Sequence, residues 1–178
     1  MKKLILIGGV LAGGKSKFSH LLGERFTVPV VNKDRLKEIL GDNIFTSNRE
    51  ENKKLSVISF DLMMYLAHTE GESLILESNF KDYEMNELRS SLGDTEVLSI
   101  FFDGDNEVLH QRFIKRLSED RHPVHKSQDF TAIEDFISTL DELRSVDYPG
   151  EVLRVDCTDF SYQDDEKLYE TVKVFLNK

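Results

Sequence analysis

The sequence is short of cysteine and proline, and each shortage excludes a class of protein. The single cysteine, Cys157, cannot form an internal disulfide or a cysteine-based zinc cage, so a reducing compartment such as the cytoplasm is expected. With only 3 prolines, no repeats and no low-complexity tract, no segment is typical of an interdomain linker. The 178 residues fit one ordinary domain, and we predict a single domain over residues 1–178.

Long apolar runs and an excess of basic residues are also missing. The longest apolar run, residues 4–10, is far below the ~18–20 residues that cross a bilayer. The chain carries 33 acidic against 23 basic residues, a net charge of −10. Because a polyanion or an anionic membrane attracts a basic surface, this balance argues against long nucleic acids and membranes as partners. A local basic patch can still hold a small anion. For the oligomeric state, we expect a monomer or a homodimer.

Short apolar runs alternate with helical stretches along the chain. The runs cover residues 3–7, 28–31, 73–76, 97–102 and 152–155, and the candidate helices cover 15–24, 34–40, 52–68, 83–92, 107–117, 131–145 and 164–176. Continuous short apolar runs are typical of parallel strands buried on both faces. The alternation therefore predicts an α/β layer fold with a parallel sheet. In the third candidate helix, the spacing of apolar residues predicts a core-facing stripe of Leu55, Ile58, Leu62, Tyr65 and Leu66.

The most specific motif lies directly after the first apolar run. Residues 9–16 read GVLAGGKS, which fits G-x-x-x-x-G-K-[ST] in the strand–loop–helix context that this motif requires. Its glycines let backbone N–H groups face phosphate oxygens, and the following helix adds partial positive charge at its N-terminus. The motif predicts a nucleoside-triphosphate site, with Lys15 reaching the β- and γ-phosphates and Ser16 binding Mg²⁺. The predicted nucleotide-binding residues are Gly9, Ala12, Gly13, Gly14, Lys15, Ser16 and Lys17.

A carboxylate at the end of the third apolar run supports this site. Glu77 follows residues 73–76, and in folds with a phosphate-binding loop a strand-end acid can hold the metal's water shell or a substrate hydroxyl. We therefore predict Glu77 as a second residue of the Mg²⁺ site. By itself, the same pattern is also that of an ordinary strand end.

With these residues in place, the chain resembles the P-loop kinases that phosphorylate small molecules. More narrowly it is similar to the group of zeta toxins, chloramphenicol phosphotransferase and the kinase domain of phage polynucleotide kinase, within the broad AAA-type ATPase class. Three segments carry the likeness: 31–36 (VNKDRL), 77–80 (ESNF) and the arginine-bearing stretch 112–125. The resemblance implies a three-layer fold with sheet order 2-3-1-4-5, helices on both faces and a small helical lid at about residues 112–130. Ala12 stands where many members have glycine, and we expect a small residue to fit.

The resemblance also implies roles for individual residues. Asp34 would deprotonate the accepting hydroxyl, although Asp is equally a favoured N-cap for the helix that follows it. Basic residues would neutralise the charge that develops during transfer, and Arg112 and Arg116, four residues apart, should share one helix face. Arg121 would act from the lid. The candidates for contact with the acceptor are Arg35, Asn79 and His122.

These features together predict an ATP- and Mg²⁺-dependent phosphotransferase that acts on a small hydroxyl acceptor. Two other functions remain open: a P-loop protein that hydrolyses ATP slowly and acts through a protein partner, and a toxin-like kinase of a nucleotide sugar. The sequence names no acceptor.

Overall fold

A computed structural model describes residues 2–44, 48–69, 71–119, 122–125 and 132–177. Its strands are β1 (Lys3–Gly9), β2 (Val30–Asn32), β3 (Ser73–Glu77), β4 (Glu96–Asp103) and β5 (Glu151–Asp156). Its helices are α1 (Lys15–Phe26), α2 (Lys33–Asn43), α3 (Arg49–Thr69), α4 (Asp82–Ser91), α5 (Asn106–Leu117), α6 (Ile133–Arg144) and α7 (Glu166–Asn177). Two 3₁₀ turns, Pro123–His125 and Ser161–Asp164, precede α6 and α7. Every predicted strand and helix is present, with ends shifted by a few residues.

The five strands form one parallel sheet in the order β2-β3-β1-β4-β5, as predicted. The register pairs Glu77 of β3 with Ile7 of β1 on one side and with Asn32 of β2 on the other. The carboxyl ends of these three strands therefore meet at the same sheet edge. In open α/β sheets this edge is where ligands bind.

Alternate residues of β1 face opposite layers, which makes the fold three-layered. Ile5 and Ile7 belong to a core shared with α1, α5, α6 and α7. Leu4 and Leu6 belong to a second core shared with α3 and α4. Burying each side chain of this size stabilises the fold by about 1.5–3 kcal/mol, so the central strand holds both helical layers to the sheet.

The predicted burial of every strand on both faces is wrong for β5. This strand pairs with β4 alone, and Val155 is its one fully buried residue in the structure. Leu153 and Val155 pack against the core that includes α1 and α7, whereas Val152 and Arg154 point to the other face of β5 and are exposed, so β5 is buried on one face only.

The predicted core stripe of α3 is also wrong in part. Leu55 is buried and Leu66 is partly buried, but Ile58, Leu62 and Tyr65 are 40%, 38% and 65% exposed. The face that packs on the sheet instead carries Phe60, Met63 and Met64. No helix in the described ranges is both long and apolar enough to span a membrane.

Candidate active site

The loop between β1 and α1 has the backbone conformation that its glycines allow. Gly9 has φ +117°, and a Cβ there would lie 2.1 Å from the carbonyl oxygen of Phe102. Gly14 has φ +85°, and a Cβ there would lie 2.3 Å from the Tyr162 hydroxyl. Ala12 fits but adopts φ 59°, a left-handed conformation that costs an L-residue roughly 1–2 kcal/mol. This strain gives a physical reason for the glycine that resembling kinases carry at this position.

The start of α1 is open to an anion. Its N-cap, Gly14, supplies no side-chain cap, and the first turn has no acidic residue. The amide N–H groups of the first turn therefore have no side-chain partner and can serve a phosphate. Lys15 is 6% exposed and its Nζ donates to the carbonyls of Gly9 and Val10, so the ammonium lies against the loop. Burial lowers the pKa of Lys15, and the nearby Glu77 and Asp34 carboxylates oppose this shift.

Ser16 and Glu77 are brought together by a residue that the sequence did not single out. The amide nitrogen of Asn32, at the end of β2, donates to the Glu77 carboxylate and lies 3.4 Å from the Ser16 Oγ. The Asn32 Oδ1 accepts a hydrogen bond from the backbone N–H of Arg35 at 2.8 Å. Asn32 is therefore the N-cap of α2, and the alternative role of Asp34 as the cap is wrong. The signal in the sequence that could have indicated Asn32 is its side-chain amide directly after the apolar run 28–31.

The chemistry of Ser16 and Glu77 fits Mg²⁺. Both offer oxygen, the donor that Mg²⁺ prefers, and Mg²⁺ commonly binds through few protein ligands together with phosphate oxygens and water. Over the described ranges there is no group of three or more His, Cys, Asp or Glu residues that would form an all-protein metal cage. Burial raises the pKa of Glu77 to about 7, against the opposing effect of the Lys15 charge. A cation beside Glu77 would favour its ionised form.

One cavity of about 590 Å³ joins most of the predicted site. Asp34 lies in the first turn of α2 with an exposed side chain, and its charge acts on both Lys15 and Glu77. The phosphate loop, both candidate metal residues and the predicted base therefore face a single space. The predicted residues that line it are Ala12, Gly13, Gly14, Lys15, Ser16, Lys17, Asp34, Glu77, Asn79, Arg112 and Arg116.

The three predicted arginines differ in their surroundings. Arg112 is partly buried and donates to the carbonyls of Cys157, at 2.6 Å, and Thr158, while its guanidinium lies 3.8 Å from the centre of the Phe160 ring. Arg116, one turn later, is exposed, and its charge acts on Lys15 and Glu77. Arg121 lies outside the described residues, as do residues 120 and 126–130 of the predicted lid.

Two candidate acceptor residues lie apart from the phosphate loop cavity. Arg35 and His122 line an adjacent cavity of about 600 Å³, which shares Ser16, Asp34 and Arg116 with the first. Arg35 pairs with Glu38 at 2.9 Å on the surface of α2, and the His122 Nε2 lies 2.9 Å from Asp42. Asn79 alone of the three lines the cavity that holds the loop.

Tyr162, which the sequence analysis did not select, packs against the phosphate loop. Its hydroxyl donates to the Gly13 carbonyl at 3.2 Å, and its ring makes an edge contact with Phe102 at 4.9 Å between centroids. Cys157 is fully buried beside Gly13, and burial raises the pKa of its thiol to about 11, so it packs against the loop as a small apolar group. No local pattern marks Tyr162, because it meets the loop only after the chain has folded.

No protein-family model and no curated protein matches the chain in sequence. Several solved structures match it in fold. A candidate kinase from Chloroflexus aurantiacus is 25% identical, with a TM-score of 0.79 over 98% of both chains. Shikimate kinase from Bacteroides thetaiotaomicron is 14% identical, with a TM-score of 0.61 over 96% of this chain and 98% of that one. The chain has the fold of the P-loop kinases.

A gluconokinase from Sinorhizobium meliloti extends this comparison. It is 17% identical, with a TM-score of 0.54 over 95% of this chain and 97% of that one. All three similarities run over almost the whole of each chain, so the P-loop kinase fold is shared in full and not through the loop motif alone. The narrower likeness to zeta toxins and chloramphenicol phosphotransferase stays a prediction.

Proposed function

We propose that the chain is an ATP- and Mg²⁺-dependent kinase that transfers the γ-phosphoryl group to a hydroxyl of a small molecule. The observation that carries this proposal is the single cavity lined by the phosphate loop, Lys15 and the Asp34 carboxylate. The fold supports it, because structures with the same fold include shikimate kinase and gluconokinase.

The triphosphate would be held by the loop amides, by the N-terminus of α1 and by Lys15. Mg²⁺, when bound, would neutralise charge on the β- and γ-phosphates, with Ser16 and Glu77 as its protein partners. Transfer of the Lys15 ammonium from the carbonyls of Gly9 and Val10 to phosphate oxygens replaces neutral acceptors by charged ones. The ammonium already makes charge-assisted hydrogen bonds to these carbonyls, and an anionic acceptor adds the Coulomb attraction between opposite charges.

The transfer itself needs a proton acceptor and positive charge. Asp34 would take the proton of the acceptor hydroxyl while the hydroxyl oxygen forms a bond to the γ-phosphorus. The bond between the γ-phosphorus and the β–γ bridging oxygen breaks, and ADP is the leaving group. Arg116 is exposed into the same cavity and would stabilise the negative charge on the transferring group. Arg121 remains a candidate for the same role.

The nucleobase would lie beside the phosphate loop, on the wall formed by Phe160 and Arg112. Phe160 and Arg112 present a stacked aromatic ring and guanidinium on the cavity, next to the loop after β5. Both groups are flat and suit a purine face. Because Arg112 is also bound to the carbonyls of Cys157 and Thr158, we assign it to this wall and not to the transferring phosphate.

The test is ADP release with a panel of hydroxyl compounds, comparing wild type with Asp34→Asn. Loss of a general base typically lowers the rate about 10²- to 10⁴-fold, so kcat should fall by this factor while ATP affinity is retained. Asp61→Asn, an exposed carboxylate on α3, is the matched control and should behave as wild type. An ATPase that acts through a protein partner would instead show no stimulation by any acceptor and no effect of Asp34→Asn, and that result would refute the proposal.

A further inference from the structure

The cavity that holds the phosphate loop is also lined with lysines. Lys33 and Lys37 reach it from α2, and Lys81 reaches it from the residue that precedes α4. This concentration of positive charge stands out in a chain of net charge −10. Three cations from two elements therefore line one cavity.

One of the three lysines already has its counter-ion. Lys33 forms a buried ion pair with Glu84, and the same carboxylate accepts the backbone N–H of Lys81 at 3.1 Å and the Tyr83 hydroxyl at 3.2 Å. The oxygens of Glu84 are thus occupied. Lys37 and Lys81 form no salt bridge with any carboxylate among the described residues.

The charges that surround Lys37 indicate where this cluster lies. Burial lowers the pKa of Lys37, Asp34 opposes the shift, and Lys33 and Lys81 add to it. The largest charges acting on Lys15 are instead Glu77 and Asp34. Asp34 therefore lies near both Lys15 and Lys37, on the wall of the cavity that the phosphate loop and the lysines share.

A second observation on the wall of the same cavity points to a ligand. The Asn79 Oδ1 is buried and has no hydrogen-bond partner in the described structure, although its residue lines the cavity. Buried acceptors in folded proteins almost always receive a hydrogen bond, so this atom can accept one from a ligand hydroxyl in the cavity.

We infer that the acceptor is an anionic polyhydroxyl compound whose carboxylate or phosphate monoester binds between Lys37 and Lys81. One of its hydroxyls faces Asp34, and another donates to Asn79. That this anion is the phosphoryl acceptor rests on the proposed function. Binding of the anion at the lysines is a separate property and is tested separately. The anion removes the repulsion among the clustered ammonium groups, and a neutral sugar does not.

The experiment uses pairs of probes that differ in charge. With the nucleotide site saturated by ADP, isothermal titration calorimetry compares D-gluconate with D-glucitol and glycerol 3-phosphate with glycerol. We expect at least one anion to bind and its neutral partner not to bind measurably, and the two pairs distinguish a carboxylate from a phosphate. Removing one charged hydrogen bond should weaken binding about 10- to 100-fold, so Lys37→Met and Lys81→Met should each raise the anion's Kd by this factor. Lys54→Met, an exposed lysine on α3, is the matched control.

Each result decides the inference. If neither anion binds, if the neutral partners bind equally well, or if the Lys37→Met and Lys81→Met double variant keeps the preference for the anion, the inference is wrong. The proposed kinase function would survive any of these results provided that some hydroxyl compound still stimulates ADP release. Conversely, anion binding that depends on the two lysines, without phosphoryl transfer to any acceptor, would support the anion site and refute the proposed kinase function.

Discussion

The buried ion pair between Lys33 and Glu84 joins the start of α2 to the first turn of α4 and lies next to the predicted base, Asp34. Their side chains are 7% and 0% exposed. Lys33→Met keeps the length and apolar stem of the side chain but removes its charge. The Glu84 carboxylate then remains buried with only neutral donors, the Tyr83 hydroxyl and the Lys81 N–H. Breaking a buried pair in this way costs about 3–5 kcal/mol, which we expect as the fall in the free energy of unfolding.

Urea denaturation measures this loss, and a double-mutant cycle isolates its cause. Glu84→Met should be similarly destabilising because it leaves a buried ammonium, whereas the double variant should recover most of the stability, since apolar pairs often replace buried ion pairs without loss. Arg35→Met, which breaks the exposed Arg35–Glu38 pair, should cost at most about 1 kcal/mol. A loss for Lys33→Met no larger than for this control, or strictly additive effects in the cycle, would refute the reasoning.

Two further predictions concern the nucleotide site. In metal-free buffer the pKa of the buried Glu77 carboxyl is about 7 in the folded protein, above its ordinary value of 4.5. The free energy of unfolding should therefore be highest below about pH 4.5 and fall as pH rises through 7, in total by about 3 kcal/mol. Urea denaturation of Glu77→Gln against wild type at pH 5 and pH 8 measures this difference, and an equal pH response of the two proteins would contradict it. Arg112→Met should weaken ATP binding about tenfold by exposing one side of Phe160, yet leave inorganic triphosphate binding unchanged. Calorimetry with both ligands tests this, and an equal loss for both would assign Arg112 to the phosphates instead.

The features that the sequence predicted correctly are those that depend on neighbouring residues in the chain. Strand and helix positions follow from short apolar runs and helical spacing, and the loop at residues 9–16 is specified by its own glycines, Lys15 and Ser16. The parallel sheet order, which came from the resemblance, then places Glu77 beside that loop through the register of β1 and β3. Local chemistry and topology together were sufficient to bring the loop and Glu77 to one edge of the sheet.

The proposed acceptor site depends on contacts between residues distant in the sequence. Lys37 and Lys81 are 44 positions apart in the printed sequence, and no local pattern shows that α2 and the start of α4 face one cavity. The α3 stripe was misassigned for a similar reason, because Ile58 and Phe60 are equally apolar and only the position of the sheet decides which one is buried. Asp34 and Asn32 are both favoured caps, and the geometry of the β2 end selects Asn32.

The central claim is that the loop after β1 holds a triphosphate through Lys15. Titration calorimetry of ATP with Mg²⁺ against wild type and Lys15→Met tests it most directly. We predict one saturable site in the wild type and an affinity about 10- to 100-fold lower in the variant, the range expected for a lost charge-assisted contact. No detectable binding of ATP or GTP to the folded wild type, or equal affinity in the two proteins, would contradict the account.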